Sequence, residues 1–298
     1  WFLVDYFAGF GKLVDHVETA NWSWFPVALI ATTIFVGLSA YRWDFILDTM
    51  GFDVGFGRAT KVTLATCPLA VVTPSRASDF IRAIGVRDVV PTLEASGSVL
   101  LQKVVDVQSL CLLAACGAAA AGLWYWAAGL AAALAATWAF LWIWSAWGDR
   151  LSSLPLLEKF RDKSTSLMSA VDVMMAHPVE LAILHAWSLF AWFCALVVLY
   201  SLGEMFHAGL GVFEIGALFP LAVFVGLLPL TAGGMGTRDS AFIALIALVR
   251  TQPFDESVVL VTTLAYGFMV LGLPALVGIP YFVGYAARLP KPNQTEPE

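Results

Sequence analysis

The residues best suited to binding chemistry lie between Leu227 and Phe242, in the sequence LLPLTAGGMGTRDSAF. Glycines in this stretch allow successive backbone N–H groups to turn toward one point, and such backbone nests attract anions. Arg238 follows at the expected start of a helix, where its planar guanidinium would add a fork suited to phosphate. The alternative is that the glycines serve tight helix packing and that Arg238 pairs with a nearby acid. The predicted headgroup-binding residues here are Gly233, Gly234, Gly236, Arg238 and Asp239.

A second group of charges lies in the sequence TPSRASDFIRA at 73 to 83. On a helix, Arg76 and Asp79 are one turn apart, and Arg82 follows after another turn. We interpret these three residues as a second anion-binding wall that faces the same ligand. A helix start with its own ion pair explains the pattern equally well.

Three further charges, Glu94, Lys103 and Asp106, fall near the beginning of an apolar run. Charges in a membrane span are costly unless they face the protein interior or water. Lys103 and Asp106 are three residues apart and are expected to pair with each other, and Glu94 is explained by an interfacial position. As an alternative, all three are possible neighbours of the binding cavity.

Other kinds of chemistry find little support in the sequence. The four Cys lie in apolar runs and the four His are scattered, without the spacing of a metal site. No Walker A sequence, nucleotide-sugar motif or Ser-His-Asp order is present, and no basic face suits a nucleic acid. The chain is therefore not expected to be an enzyme or to hold a cofactor or a metal.

The composition is that of a polytopic membrane protein. Hydrophobic residues make up 60% of the 298 residues and charged residues only 13%, with a mean hydropathy of +0.81. About 20 apolar residues suffice for a helix to cross the hydrocarbon layer. Five such stretches are predicted to span the membrane, near 22–42, 97–123, 124–146, 179–202 and 256–284, the last with a kink at its glycines and prolines.

Two other apolar runs are too short to span and break at Pro74 and Pro229. Irregular backbone at membrane depth persists only where it is buried in protein or lines a cavity. The sequence therefore predicts two re-entrant helix hairpins, near 61–83 and 213–250. Both anion-binding groups lie on them.

The distribution of Lys and Arg predicts the topology. Most of them flank the first hairpin or fall in the 147–178 loop and the C-terminal tail, which assigns these regions to the cytoplasm. The two hairpins then enter from opposite faces, as in an inverted repeat whose site lies at the repeat interface. Arg76 and Arg238 are expected to approach one shared cavity, although chance similarity of two short breaks is the alternative.

The fold class expected from these elements is all-α, with about five full spans, two oppositely oriented re-entrant hairpins and an inverted repeat. The 147–178 loop is interpreted as an amphipathic helix on the cytoplasmic leaflet or as a solvated connector. The predicted organisation is one transmembrane domain over 1–298, with halves at 1–146 and 179–288 and a disordered tail at 289–298.

From about residue 22 onward, the chain resembles the lysylphosphatidylglycerol synthase transmembrane-region family. The resemblance is carried by TPSRASDFIRA at 73–83, LLQKVVDVQSL at 100–110 and LLPLTAGGMGTRDSAF at 227–242. Met235 fills the aliphatic position of the family's Gly-Gly-aliphatic-Gly turn, and Asp239 replaces its Glu. Ser78 stands where the family commonly has Gly, and Gln102 and Lys103 stand where a carboxylate-Arg pair often precedes the acid.

This resemblance implies a lipid translocase fold with two re-entrant hairpins. We expect a flippase of the bacterial inner membrane without its own ATPase, acting on an anionic or phosphate-bearing lipid such as a phospholipid, a glycolipid or a polyprenyl phosphate. The alternative is a non-catalytic accessory subunit for a lipid-modifying glycosyltransferase or synthase. A homo-oligomer or such an enzyme is the expected protein partner. A small-solute transporter, the third option, would need a water-filled polar cavity.

Overall fold

The structure is a computed structural model that describes residues 15–73, 79–152, 161–227, 231, 234 and 236–286. Within this part of the chain, the regular elements are all helical and no strand occurs. The predictions made for Arg76, for Gly233 and for the 289–298 tail fall outside the described residues. The helices are α1 (Phe25–Thr49), α2 (Phe56–Val72), α3 (Arg82–Gly85), α4 (Thr92–Ala120), α5 (Trp124–Ser152), α6 (Arg161–Ala176), α7 (Pro178–Met205), α8 (Phe219–Gly226), α9 (Thr237–Val249), α10 (Glu256–Gly267) and α11 (Leu273–Ala286).

Five helical segments are long and apolar enough to cross a membrane, and they confirm the predicted spans. They are Trp22–Thr49, Thr92–Ala120, Trp124–Trp147, Pro178–Met205 and Glu256–Tyr285. The first one continues seven residues past its predicted end at Arg42. It does so because Arg42 is only 2% exposed and has a carboxylate partner inside the protein, so its charge does not end the helix.

The two shorter regions differ from each other. α2 begins at Phe56, five residues before the predicted start, after Gly55 takes a φ of +80° that opens the helix. In its predicted return arm, the described residues form a 3-10 turn at 79–81 followed by the single turn α3. In the second half, α8 and the 13-residue α9 are short helices that pack against each other. The re-entrant path of both regions through a membrane stays a prediction.

Two π-helical turns adjoin prolines. The first, Glu214–Leu218, leads into α8 and ends two residues before Pro220. The second, Phe268–Gly272, joins α10 to α11 and ends two residues before Pro274. Proline removes one N–H donor and crowds the preceding turn, which a wider π turn accommodates. The irregularity that the sequence predicts in the last span takes this form.

The helices of the two halves pack on each other in a reciprocal pattern. The opening helices α1 and α7 pack together, α2 packs on α11, and α8 packs on α4. Glycines allow the close approaches: a Cβ on Gly278 would lie 2.1 Å from the carbonyl oxygen of Leu64, and one on Gly117 would lie 2.2 Å from that of Ala217. Larger residues at either glycine would force the backbones apart.

α6 packs into the protein along its apolar side. Met168, Val171 and Met174 are buried and join a cluster that includes Leu101 and Val105 of α4. The predicted 147–178 loop thus consists of the end of α5, the undescribed residues 153–160, and a helix packed on α4 and α5.

Candidate functional site

A cavity of about 160 Å³ lies where the two halves of the chain meet. We call it the central cavity. Arg42, Lys103 and Asp106 line it from the first half, and Gly234 and Arg238 line it from the second. Since one water occupies roughly 30 Å³ of liquid, the cavity has room for about five waters or a group of similar size.

A smaller chamber of about 40 Å³ adjoins the central cavity. We call it the side chamber, and its polar lining includes Thr63, Asp79 and Arg82. The two spaces share a wall made of Phe35, Ser39, Val270 and Leu271. Charged residues of both broken regions therefore line neighbouring spaces.

In the side chamber, Asp79 holds two cations. Its Oδ1 accepts a hydrogen bond of 2.9 Å from Nη2 of Arg82, and its Oδ2 forms an ion pair with Lys103. Arg82 also donates from Nη1 to Gln102 at 3.3 Å and lies over the ring of Trp43, 5.9 Å from its centroid. The sequence predicts a binding wall here, and the contacts that fix Arg82 come from Asp79, three residues earlier, and from two elements distant in sequence, α4 and α1.

Two buried donors beside this ion pair have no hydrogen-bond partner in the described part of the chain. They are Nε of Arg82, which is 4% exposed, and the Oγ1 hydroxyl of Thr63, which is 2% exposed. An unsatisfied buried donor costs about 1–3 kcal/mol, so such groups call for an explanation. Both residues line the side chamber, whose volume of about 40 Å³ has room for about one water, so a single oxygen atom, from a water or from a ligand in the adjoining central cavity, would satisfy them.

Asp106, in the central cavity, is held by partners from two other helices. Arg42 of α1 forms an ion pair with its Oδ1, and the Ser188 hydroxyl of α7 donates to the same oxygen at 2.7 Å. The predicted pairing of Lys103 with Asp106 is therefore wrong. Although they are three residues apart on α4, Lys103 contacts Asp79 instead, because tertiary partners outcompete the neighbour along the helix.

Arg238 is bound mainly by its neighbour Asp239. Nε and Nη2 of Arg238 donate to Oδ1 of Asp239 at 2.9 and 2.6 Å, and Nη2 also donates to the Thr263 carbonyl at 3.0 Å. The guanidinium lies 4.9 Å from the ring centroid of Tyr266, within the range of a cation–π contact. Nη1 is the nitrogen of Arg238 that has no hydrogen-bond partner among the described residues.

The two described glycines before Arg238, Gly234 and Gly236, do not present their N–H groups as the open nest that the sequence suggests. The N–H of Gly236 donates to Oδ2 of Asp239 at 3.0 Å, and that of Gly234 donates to the Thr231 carbonyl at 3.3 Å. Asp239, fully buried, thus caps the start of α9. Gly234 has a φ of +73°, and a Cβ there would lie 2.6 Å from the Gly226 carbonyl oxygen. Its role is conformation and close packing.

The charges around the two spaces do not balance. Four cations face three carboxylates among the described residues, which leaves a surplus of one positive charge. The cations are Arg42, Arg82, Lys103 and Arg238, and the carboxylates are Asp79, Asp106 and Asp239. Because uncompensated charge is costly inside a membrane protein, this surplus favours an anionic ligand.

The structure separates the predicted residues into groups. Asp79, Arg82, Lys103, Asp106, Gly234 and Arg238 line the two spaces. Glu94 lies in the first turn of α4 and lines neither of them. Sequence reasoning missed Arg42, which it counted only as a topology marker, and it assigned no binding role to Gln102 or Thr63. Arg42 is the last residue of the predicted first span and Asp44 follows two residues later, so the sequence carried no separate signal that Arg42 is buried.

Comparison with known proteins shows the family of this chain. The family described as lysylphosphatidylglycerol synthase TM region matches residues 1–278. The chain belongs to this family. It is also similar to a UPF0104 membrane protein of Methanothermobacter thermautotrophicus, with 24% identity over 95 residues. That alignment covers 32% of this chain and only 28% of the relative. The chain is accordingly a multi-pass membrane protein of the lysylphosphatidylglycerol synthase transmembrane family.

Proposed function

We propose that this protein is a lipid flippase, which moves an anionic, phosphate-bearing lipid between the leaflets of a bacterial inner membrane. The observation that carries the proposal is the surplus of buried cations in two adjoining spaces, together with the unpartnered donors of Arg82 and Thr63. A phosphate supplies several acceptor oxygens and negative charge in one group. A phosphate in the larger central cavity would neutralise the surplus, and one of its oxygens extending into the side chamber would give these donors an acceptor.

The mechanism we propose lowers the cost of moving the headgroup through hydrocarbon. Charge-assisted hydrogen bonds from Arg82 replace part of the hydration of the phosphate, while the acyl or isoprenoid chains stay in the bilayer. Lys103 lines the central cavity and forms its ion pair with Asp79, which lines the side chamber. Because its side chain is 31% exposed, it can leave Asp79 and bind the phosphate. No ATPase is required for such facilitated passage.

We further propose that both broken regions are re-entrant and that the halves form an inverted repeat. The reciprocal packing of α2 on α11 and of α8 on α4 supports this, since a two-fold relation between halves produces such exchanges. Each half also holds a buried Arg–Asp pair beside an aromatic ring. We assign the C-terminus to the cytoplasm on the Lys and Arg distribution.

A leaflet-accessibility assay tests this function. Purified protein is reconstituted into liposomes that contain a trace of acyl-labelled phosphatidylglycerol, phosphatidylcholine or polyprenyl phosphate, and dithionite measures how fast the inner-leaflet label becomes accessible. Arg82→Gln should slow passage of the anionic lipids about tenfold or more, since one charged hydrogen bond is worth about 1.5–3 kcal/mol. Absence of passage for every lipid with the wild-type protein would disprove the proposal.

Two further variants keep this test interpretable. Thr63→Val removes the unpartnered hydroxyl without removing charge, so it should slow anionic lipids while leaving the unfolding midpoint unchanged or raised. Arg250→Gln is the matched control, because Arg250 forms its ion pair with Glu214 at 3.4 Å and lines neither space. An accessory subunit would instead show equal passage in all variants and altered assembly with its enzyme.

A further inference from the structure

A third and larger cavity, of about 660 Å³, opens between the start of α2 and the end of α11. We call it the outer cavity. Arg58 and Lys61 line it from α2, Arg87 lines it from the segment after α3, and Tyr281 and Tyr285 line it from α11. Its volume lies within the roughly 300–1,000 Å³ that is typical of small-molecule sites.

One cation of the outer cavity is held in place by the protein itself. Nη1 of Arg58 donates to Oδ2 of Asp88 at 2.9 Å, and Nη2 donates to the Gly85 carbonyl at 3.0 Å. The hydrogen bonds from Arg58 also lower the pKa of the Asp88 carboxyl below its ordinary value. This pair fixes the segment after α3 against the first turns of α2.

The other two cations are available to a ligand. Lys61 and Arg87 are exposed, and neither forms an ion pair within the described part of the chain. Once Arg58 and Asp88 are paired, these two residues leave the cavity with two positive charges. A compact anion with several acceptor oxygens matches them, as Arg favours bidentate contacts with phosphate and Lys acts as a point charge.

Apolar side chains next to these cations indicate that the ligand is a lipid. Phe80, Ile81 and Ile84 are 36 to 41% exposed on the segment that also carries Arg87, and Ile84 lines the cavity. Tyr281 is exposed on the opposite wall, and tyrosines favour the level of the lipid headgroups. Ile84 therefore places exposed apolar area in the same cavity as the charges, and Phe80 and Ile81 add apolar area on the same segment of the chain.

The outer cavity lies on the same seam between α2 and α11 as the side chamber. On α2, Lys61 and Val62 line the outer cavity and Thr63 and Cys67 line the side chamber. Between the two spaces, Gly278 of α11 lies so close to α2 that a Cβ would be 2.1 Å from the Leu64 carbonyl oxygen. The backbones are in contact at this point and separate the outer cavity from the interior.

We propose that the outer cavity is a distinct binding site for the phosphate group of an anionic phospholipid. Lys61 and Arg87 bind the phosphate, the Arg58–Asp88 pair forms a fixed wall, and the acyl chains lie along Phe80, Ile81 and Ile84. Binding at this site is independent of lipid passage. Its role as the place where a lipid is captured before entering the seam rests on the proposed flippase function.

Native mass spectrometry of the detergent-solubilised full chain tests this site. The protein is titrated with phosphatidylglycerol or with phosphatidylcholine of the same chain length, and bound lipids are counted. The Lys61→Gln/Arg87→Gln double variant should bind phosphatidylglycerol about tenfold more weakly or worse, with little change for phosphatidylcholine. Arg250→Gln, which also removes one partly exposed cation, should match the wild type. Equal phosphatidylglycerol binding by the double variant and the wild type would overturn the proposal.

Two more arms separate the outcomes. Soluble glycerol phosphate carries the same phosphate chemistry without acyl chains, and it should displace the lipid only at far higher concentration. If it competes as strongly as the lipid, the site binds a soluble anion and the lipid assignment is wrong. Arg82→Gln should keep the binding that the double variant loses. Such binding would support the outer site even if no lipid passes through the protein.

Discussion

The two buried Arg–Asp pairs differ in how completely they are satisfied. Arg238 donates two hydrogen bonds to Asp239 and one to the Thr263 carbonyl. The other carboxylate oxygen of Asp239 accepts a hydrogen bond from the Gly236 N–H. Arg82 shares its acid with Lys103 and keeps one unpartnered nitrogen next to the unpartnered Thr63 hydroxyl. Each Arg has one nitrogen without a partner among the described residues, but that of Arg82, Nε, is fully buried, whereas Nη1 of Arg238 is not.

This contrast assigns different roles to the two pairs. A closed clamp such as Arg238–Asp239 holds the turn before α9 in shape and presents one face of Arg238 to the central cavity. An under-satisfied pair such as Arg82–Asp79 has a structural reason to bind a ligand, because its buried donor has no partner among the described residues and an anion supplies one. We therefore predict that the first-half pair is the binding element and that the second-half pair positions the opposite wall.

The largest effect should come from the closed clamp. Asp239→Asn removes the charge that neutralises Arg238 and weakens the cap of α9 in one step. Breaking a buried ion pair by removing one partner costs about 3–5 kcal/mol, and we expect a loss in that range. Chemical unfolding in mixed micelles measures it. Added phosphatidylglycerol should not restore stability, and recovery with this lipid would show that the clamp is open to ligand.

A smaller loss should follow from the same change in the first half. Asp79→Asn also removes one partner of a buried ion pair, but Arg82 keeps Gln102 and Lys103 is partly in contact with solvent, so the loss should lie near the lower end of the same range, about 3 kcal/mol. Here phosphatidylglycerol should restore most of the stability, because its phosphate takes the place of the carboxylate. The same unfolding experiment with phosphatidylcholine is the control. Equal recovery with both lipids, or with neither, would remove the distinction between the two pairs.

The sequence predicted local features of this arrangement better than distant ones. Arg238 and Asp239 are neighbours in a turn rich in glycine, so their pairing could be foreseen as an alternative from the sequence alone. The partners of Arg42 and Lys103 could not, since Asp106 is 64 residues from Arg42 and Asp79 is on another element. Such pairs are set by which helix faces meet, and spacing along one helix does not report that.

The helix boundaries show the same difference between what local sequence predicts and what depends on distant partners. Apolar length located all five spans, because burying about 20 apolar residues in hydrocarbon dominates every local preference. It misplaced the end of α1, where Arg42 is neutralised inside the protein, and the start of α2, where polar residues follow Gly55. Charged or polar residues mark a helix end only when they have no partner beyond it, and partners become visible only in three dimensions.

The smallest predicted effect separates the two contributions of Asp239 to stability, which are the cap of α9 and the ion pair with Arg238. Asp255 caps α10 at the protein surface by accepting from the Ser257 N–H at 2.9 Å, and it has no buried Arg beside it. Asp255→Ala should therefore cost only the value of a cap, about 0.5–2 kcal/mol. The difference between this loss and that of Asp239→Asn estimates the share of the buried ion pair.

The pH dependence of the Asp255 cap provides an internal check. Hydrogen bonding from Ser257 lowers the pKa of the Asp255 carboxyl below its ordinary value. A lowered pKa means that the cap stabilises fully above about pH 3.9 and that this contribution is lost as the pH falls through the lowered value. Unfolding curves of wild type and Asp255→Ala should thus differ at pH 7 and converge in acid. If the stability difference between wild type and Asp255→Ala persists in acid, the charged carboxylate is not what caps α10. The loss for Asp255→Ala then no longer measures the value of a charged cap and cannot be subtracted from the loss for Asp239→Asn.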